Sequence, residues 1–479
     1  MLSVPVRRLR RLIAATATLT LAVGLLGAAP TAAAPTAAAP STASASTAAA
    51  STAAASTAGH DPSGDQPLPG YTFQNPPLAP LVVAGKPTTV RQGVHRHAAY
   101  IIEVPARWNG DLVVWAHGYR GQGTVLSPEP PAFELRQRLL AQGYAWASSS
   151  YDRNGFDIRS GVLSTRDLAD HFGRTVRRPH RTYLAGVSMG GYVIGRSLEQ
   201  YPGYYDGALP MCGVLGDQTL LDFYLDYNLV AQALAGVPAY PTPADYLSNA
   251  VPRIQVALGL AGLTPTGPDT TTDRGKQLRA ITVNRSGGPR PGAEAAFAVW
   301  KDFLFSIAVT DGGDSPAQRP SQVSTNLLTR YSPNSPVDVN SSVRRVAPEN
   351  VVQRLLPTLT EVPKIAGRPS APVVSLHDLG DMFVPFSMEQ AYATDVARHG
   401  RGRLVVQRAI RAAQHCEFSP AEAGAAWDDL VSWVRTGKRP AGDTVTDPAV
   451  VARPDYGCRF SDRAAYAAGV GTRRLYAAC

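Results

Sequence analysis

The sequence predicts an α/β fold: a mostly parallel central sheet flanked by helices, with a largely helical cap inserted into it. Short apolar runs of strand length alternate with stretches whose apolar residues recur at helical spacing, the βαβ rhythm of a parallel sheet between helix layers. The run at 112–116 is continuously apolar, as a strand buried on both faces requires. An interval of about 150 residues then separates two later strand candidates, too long for a structureless loop inside a compact domain.

In chain order, 99–104 and 111–116 read as strands, 134–141 as a helix, 144–149 as a strand, and 164–177 as a helix with Leu168 and Phe172 on one face. A short strand at 182–185 leads into a helix at 189–200, which Tyr201-Pro202 stops because the residue before a proline is pushed out of the helical region. Strands follow at 207–211, 371–376 and 404–408, with a closing helix at 421–436. Within the long interval, 219–234 and 244–260 carry apolar residues at helical spacing, so a helical cap is expected over about 217–370. The folded core is bounded as 68–440, and 441–479 is a tail without clear periodicity.

The chain begins with Arg7, Arg8, Arg10 and Arg11, an uncharged Ala/Leu-rich run over 12–27, and small residues from Ala28 onward. That is the pattern of an export signal, assigned to 1–34, and the arginine pair leaves a twin-arginine route open beside the general one. The apolar run is shorter than the ~20 residues of a bilayer span, so removal is expected and anchoring is not. Residues 35–67 are dominated by Ala, Ser, Thr and Pro, which cannot bury enough apolar surface to offset ordering, and read as a disordered spacer. The predicted location is therefore extracellular, where oxidised cysteines are stable.

Four cysteines, Cys212, Cys416, Cys458 and Cys479, allow three pairings. A local Cys458–Cys479 staple, leaving Cys212 with Cys416, is the favoured one, with free thiols as the alternative. The formal net charge of +9 comes from arginines dispersed along the chain, which reads as a solvated surface and gives no reason to expect nucleic acid. Histidines and cysteines form no recognisable ligand spacing, so neither metal nor cofactor is expected.

Gly186-Val187-Ser188-Met189-Gly190 stands between the strand at 182–185 and the helix at 189–200. A serine on so sharp a turn is lifted clear of the sheet, and glycines two places to either side leave room for strand and helix to approach. The helix behind it aims free amides and the positive end of its dipole at the hydroxyl, which suits a developing oxyanion. This elbow in this setting resembles the α/β-hydrolase superfamily, over roughly 99–435 apart from the cap.

The remaining roles are what the resemblance implies. His117-Gly118-Tyr119 matches the His-Gly step before an oxyanion-hole residue, giving the amides of Tyr119 and Met189 as donors and leaving His117 structural. Asp381, three residues before Val384-Pro385, occupies the acid position, with Asp378 as its rival. His415, after the last strand, occupies the place of the base, and the order Ser188, Asp381, His415 is the family's. The elbow and the His-Gly-Tyr step are also similar to bacterial polyester-cleaving and lipase-type esterases, which share neither this cap nor this tail.

The expected function is a secreted serine hydrolase that cleaves carboxylic esters through an acyl-enzyme, with a small-molecule or polymeric ester as substrate and no stable membrane insertion. A serine peptidase of the same fold, prolyl-oligopeptidase-like or aminopeptidase-like, is the alternative. Among cap aromatics, Phe223, Tyr224, Tyr227 and Tyr240 either line an apolar cleft or pack the cap onto the sheet, and packing is expected for most.

Overall fold

The computed structural model describes residues 62–309, 320–356 and 358–479. The expected export signal and most of the spacer lie outside the described residues. The first described element is a short 3-10 turn, Pro62–Asp65, whose Gly64 carbonyl accepts from the amide of His97 (2.8 Å).

Eight strands form the central sheet: β1 (Thr89–His95), β2 (Ala98–Val104), β3 (Leu112–Ala116), β4 (Ala145–Ser149), β5 (Thr182–Val187), β6 (Gly207–Met211), β7 (Val373–Asp378) and β8 (Val405–Ile410). Their spatial order is β8-β7-β6-β5-β3-β4-β2-β1. The β1–β2 and β2–β4 pairs are antiparallel, and every other pair in the sheet is parallel. β3 shows why its sequence is uniformly apolar: Leu112, Val114 and Ala116 join the core on one face while Val113 and Trp115 join the core on the other. β1 escaped the sequence reading because it is a half-buried edge strand with no continuous apolar run.

Helices α1 (Leu135–Ala141), α2 (Ile158–Thr175) and α3 (Met189–Gln200) connect these strands. α2 starts six residues earlier than the periodicity suggests, because the Asp157 side chain caps it by accepting from the Ser160 amide (2.9 Å). Gly161 in its first turn, where α2 presses on Val193 of α3, is what weakened the helical signal there.

Between β6 and β7 the chain builds the cap, with helices α4 (Thr219–Ala235), α5 (Val251–Leu258), α6 (Asp273–Arg285) and α7 (Ala293–Ser306) around a hydrophobic core that also takes in Leu379, Met382 and Phe386 from beyond β7. The single helix expected over 244–260 is broken: a π-type turn at Tyr246–Ala250 precedes α5, since Pro252 lacks an amide hydrogen and is tolerated only in a first helical turn. α8 (Ser387–Arg398) packs with α2 and α3 on one face of the sheet, and α9 (Pro420–Thr436) with α1 on the other. A capping box, Ser419 with Glu422, sets the start of α9.

The tail is part of the folded body. Asp443 covers the β8 edge, its amide donating to Gln407 (2.8 Å) and its carboxylate accepting from Ala409 (2.9 Å). Val445, Val451, Tyr456 and Tyr476 are then buried in the cap's core. Their spacing follows neither helix nor strand period, which is why sequence periodicity did not reveal them. Both disulfides form, Cys212–Cys416 and Cys458–Cys479.

Candidate active site

All the sequence-predicted site residues fall just beyond the carboxyl ends of parallel strands, where an open α/β sheet leaves its crevice. Tyr119 follows β3, Ser188 follows β5, Asp381 follows β7 and His415 follows β8.

Ser188 has φ 56° and ψ −123°, a positive φ uncommon for a side-chain-bearing residue. The surroundings over-determine that conformation: its amide donates to Met211 (3.0 Å), and its carbonyl accepts from Gly191 (2.8 Å) and Val214 (3.1 Å). A Cβ at either Gly186 or Gly190 would collide with the carbonyl oxygen of Ala116, so both glycines are demanded by the approach of β3. A methyl group at Gly118 would lie 3.1 Å from Ser188 Cβ and 3.7 Å from its Oγ, so the turn that leads to Tyr119 lies against the serine. Met189 opens α3, where backbone amides have no intrahelical acceptor.

Asp381 is fully buried. One carboxylate oxygen accepts from the amides of Phe383 (2.9 Å) and Val384 (3.0 Å), and the other meets His415 Nδ1 at 2.6 Å. The opposite ring nitrogen, Nε2, is buried and has no hydrogen-bond partner among the described residues. Asp378 instead accepts from the Glu417 amide (2.7 Å), and burial, reinforced by the neighbouring Asp381 carboxylate, pushes its pKa well up. His117 is stacked on Tyr151 (centroids 3.9 Å apart), with Nδ1 donating to the Gly118 carbonyl (2.7 Å); burial lowers its pKa. Its contacts support the turn that leads to Tyr119.

The serine and histidine lie 227 positions apart in sequence, and one covalent bond brings their supports together. Met211, which accepts from the Ser188 amide, is followed by Cys212, and Cys212 is bonded to Cys416, next to His415 (Cα–Cα 5.2 Å). Donor atoms of Cys212, His415 and Cys416 lie within 4.8 Å of one another, but both sulfurs are committed to the disulfide.

A cavity of about 350 Å³ is lined by Tyr119, Phe156 and Ser188 on the sheet side and by Tyr224, Asn228 and Gln232 of α4 on the cap side. Positions 224, 228 and 232 share one helix face, so this wall runs about 12 Å from the serine end outward. Tyr224 marks the inner end, its hydroxyl donating to the carbonyl of Phe383 (2.5 Å), whose ring packs on His415 (centroids 4.8 Å). Tyr240 also lines the cavity, while Phe223 and Tyr227 belong to the cap's core, so the four aromatics divide between the two expected roles. Phe383 was not singled out from sequence, and only its place two residues after Asp381 hints at it.

No family model matches the chain. It is 20% identical over 407 residues to an o-phthalyl amidase from Xanthobacter agilis, covering 72% of this chain and 86% of the amidase. Among solved structures it is similar to feruloyl esterase B from Aspergillus oryzae (TM-score 0.44, 15% identity, 77% of this chain and 86% of that one). A second is an acylaminoacyl peptidase from Pyrococcus horikoshii (TM-score 0.36, 10% identity, 77% and 44%). Among the described residues, no helix is long and apolar enough to cross a membrane.

Proposed function

We propose that this chain, whose fold is that of the α/β-hydrolases, is a secreted serine hydrolase that cleaves carboxylic esters through an acyl-enzyme. The observation that carries the reading is the 2.6 Å His415–Asp381 hydrogen bond with Nε2 left open, on a loop disulfide-linked to the strand end that Ser188 bonds.

In this mechanism His415 Nε2 takes the Ser188 proton as Oγ attacks the ester carbonyl. Asp381 keeps the ring in the tautomer with its proton on Nδ1 and stabilises the imidazolium. The tetrahedral oxyanion is held by the amides of Tyr119 and Met189, each such donor contributing about two to three powers of ten in turnover. His415 returns the proton to the departing alcohol, and water, activated by the same ring, releases the acid. No step calls on a metal or cofactor. The export-signal pattern and the two disulfides support an oxidising, extracellular setting.

The test is turnover of short and medium acyl p-nitrophenyl esters by the purified protein and by Ser188→Ala. The variant is expected to lose at least about 10⁴-fold in kcat and to resist labelling by a fluorophosphonate; equal turnover by both proteins rejects the reading. The amidase relative, aligned over 86% of its length, favours one second reading, in which the scissile bond is an amide. Faster cleavage of acyl anilides than of matched esters would select it.

A further inference from the structure

The loop that carries His415 is held by the C-terminal segment more than by its neighbours in sequence. The Thr472 hydroxyl accepts from the Ala413 amide (2.6 Å) and donates to the Glu417 carboxylate, while the Thr472 amide donates to the other oxygen of that carboxylate (2.8 Å). One residue thus pins both ends of the five-residue stretch whose middle member is His415. Arg473, 2% exposed, donates to the Glu417 carbonyl (3.0 Å) and to Glu422 (2.6 Å). The Tyr476 hydroxyl reaches the Ala412 carbonyl (2.6 Å).

Those tail residues are themselves immobilised. Cys458–Cys479 closes the segment into a loop that contains Thr472, Arg473 and Tyr476, and the Tyr476 ring is buried in the cap's core. Arg411, fully buried at the end of β8, ties the base of the loop to the carbonyls of Tyr456 (2.9 Å) and Ala477 (2.7 Å). Asp378 accepts from the Glu417 backbone amide, and Arg473, Thr472 and the Gln414 amide (3.3 Å) meet the Glu417 carboxylate oxygens.

We propose that this tail is a positioning element for the base, with Thr472 as the positioning residue that fixes the His415 loop through Ala413 and Glu417. The proposal rests on the reading of His415 as the base. Without the Thr472 staple the 413–417 turn can open, the ring drifts from its alignment with Asp381 and Ser188, and a drift of about 1 Å costs on the order of 10²-fold in rate. The cavity walls named above contain no tail residue, so substrate binding is not touched directly.

The experiment compares Thr472→Val, which is close in shape but lacks the hydroxyl, with Thr472→Ser, which restores it, on a p-nitrophenyl ester. Thr472→Val is expected to lower kcat about 10- to 100-fold with KM within about twofold, in protein shown folded by circular dichroism, and Thr472→Ser to stay within about threefold of the parent. Where Thr472→Val does not accumulate as folded protein, Thr472→Ala and Glu417→Gln are measured with the same expectation. A folded hydroxyl-less variant that retains parental kcat, or a Thr472→Ser variant as impaired as Thr472→Val, overturns the proposal. His415→Ala separates the two readings: if it is inactive while Thr472→Val is fully active, only the positioning proposal fails; if it is fully active, the serine-hydrolase reading fails with it.

Discussion

Two aspartates three residues apart end up in different surroundings, and the difference lies in what their oxygens meet. Asp381 faces two amides and an imidazole, whereas Asp378 meets one amide and lies buried beside another carboxylate, which pushes its pKa well up. Asp378→Asn, which keeps an acceptor for the Glu417 amide, is therefore expected to retain kcat within about tenfold. Asp381→Asn should lose about 10⁴-fold, because an amide disfavours the required tautomer of His415. Steady-state rates of the two variants on one ester separate them. Asp217, where the chain enters the cap, is a third case: burial, only partly offset by the Ile365 amide (3.0 Å), raises its pKa from 3.8 to about 7. A raised carboxyl binds more protons in the folded state, so its contribution to stability is complete below about pH 4 and is lost as pH rises through 7. Asp217→Asn, which also tolerates the positive φ of 50°, should narrow the difference in Tm between pH 5 and pH 8 by a few degrees. Thermal melts at both pH values check this.

At the scale of elements, the sheet sets the strand ends in a row, but two devices outside the sheet hold the loop that carries His415. One is the Cys212–Cys416 bond, which spans 204 residues and ties the His415 loop to the end of β6. Loop closure over so long a span is worth about 2–5 kcal/mol. The double Ser variant is expected to unfold at correspondingly lower denaturant and to lose turnover under conditions where it is still folded. A chemical-denaturation curve alongside kcat measures both, and unchanged kcat would mean that the bond serves stability alone. The other device is the tail, described above. Elements with a strong local signal matched the sequence reading closely: α3 and β6 begin and end where expected, because each is bounded by a sharp turn or a proline. β1, α6 and α7 were not legible, since their burial is set by partners far along the chain, against which their local pattern is weak.

For the whole molecule, the cavity lies between the cap and the sheet. The cavity's inner end is at Ser188 and Tyr224, and Thr242, beyond the last turn of α4, lines it farther out. Thr242→Trp should therefore lower kcat/KM about tenfold or more for esters with long acyl groups while leaving acetyl esters within about twofold. A p-nitrophenyl ester series gives that profile directly, and a uniform loss across chain lengths would place the distal cavity outside the acyl path.

The sequence by itself determined most of the sheet, the elbow and the candidate serine, because each rests on local chemistry: buried strands need unbroken apolar runs, and a strand-to-helix turn this tight needs glycine at 186 and 190; the candidate acid, Asp381 with Asp378 as rival, and the candidate base, His415, came from the resemblance. Tertiary structure alone decided which aspartate meets His415, how the aromatics divide between core and cavity, and that the C-terminal segment braces the His415 loop. Those outcomes depend on contacts between residues tens to hundreds of positions apart, such as Thr472 with Ala413 and Tyr224 with Phe383, and no local period in the chain encodes such pairings.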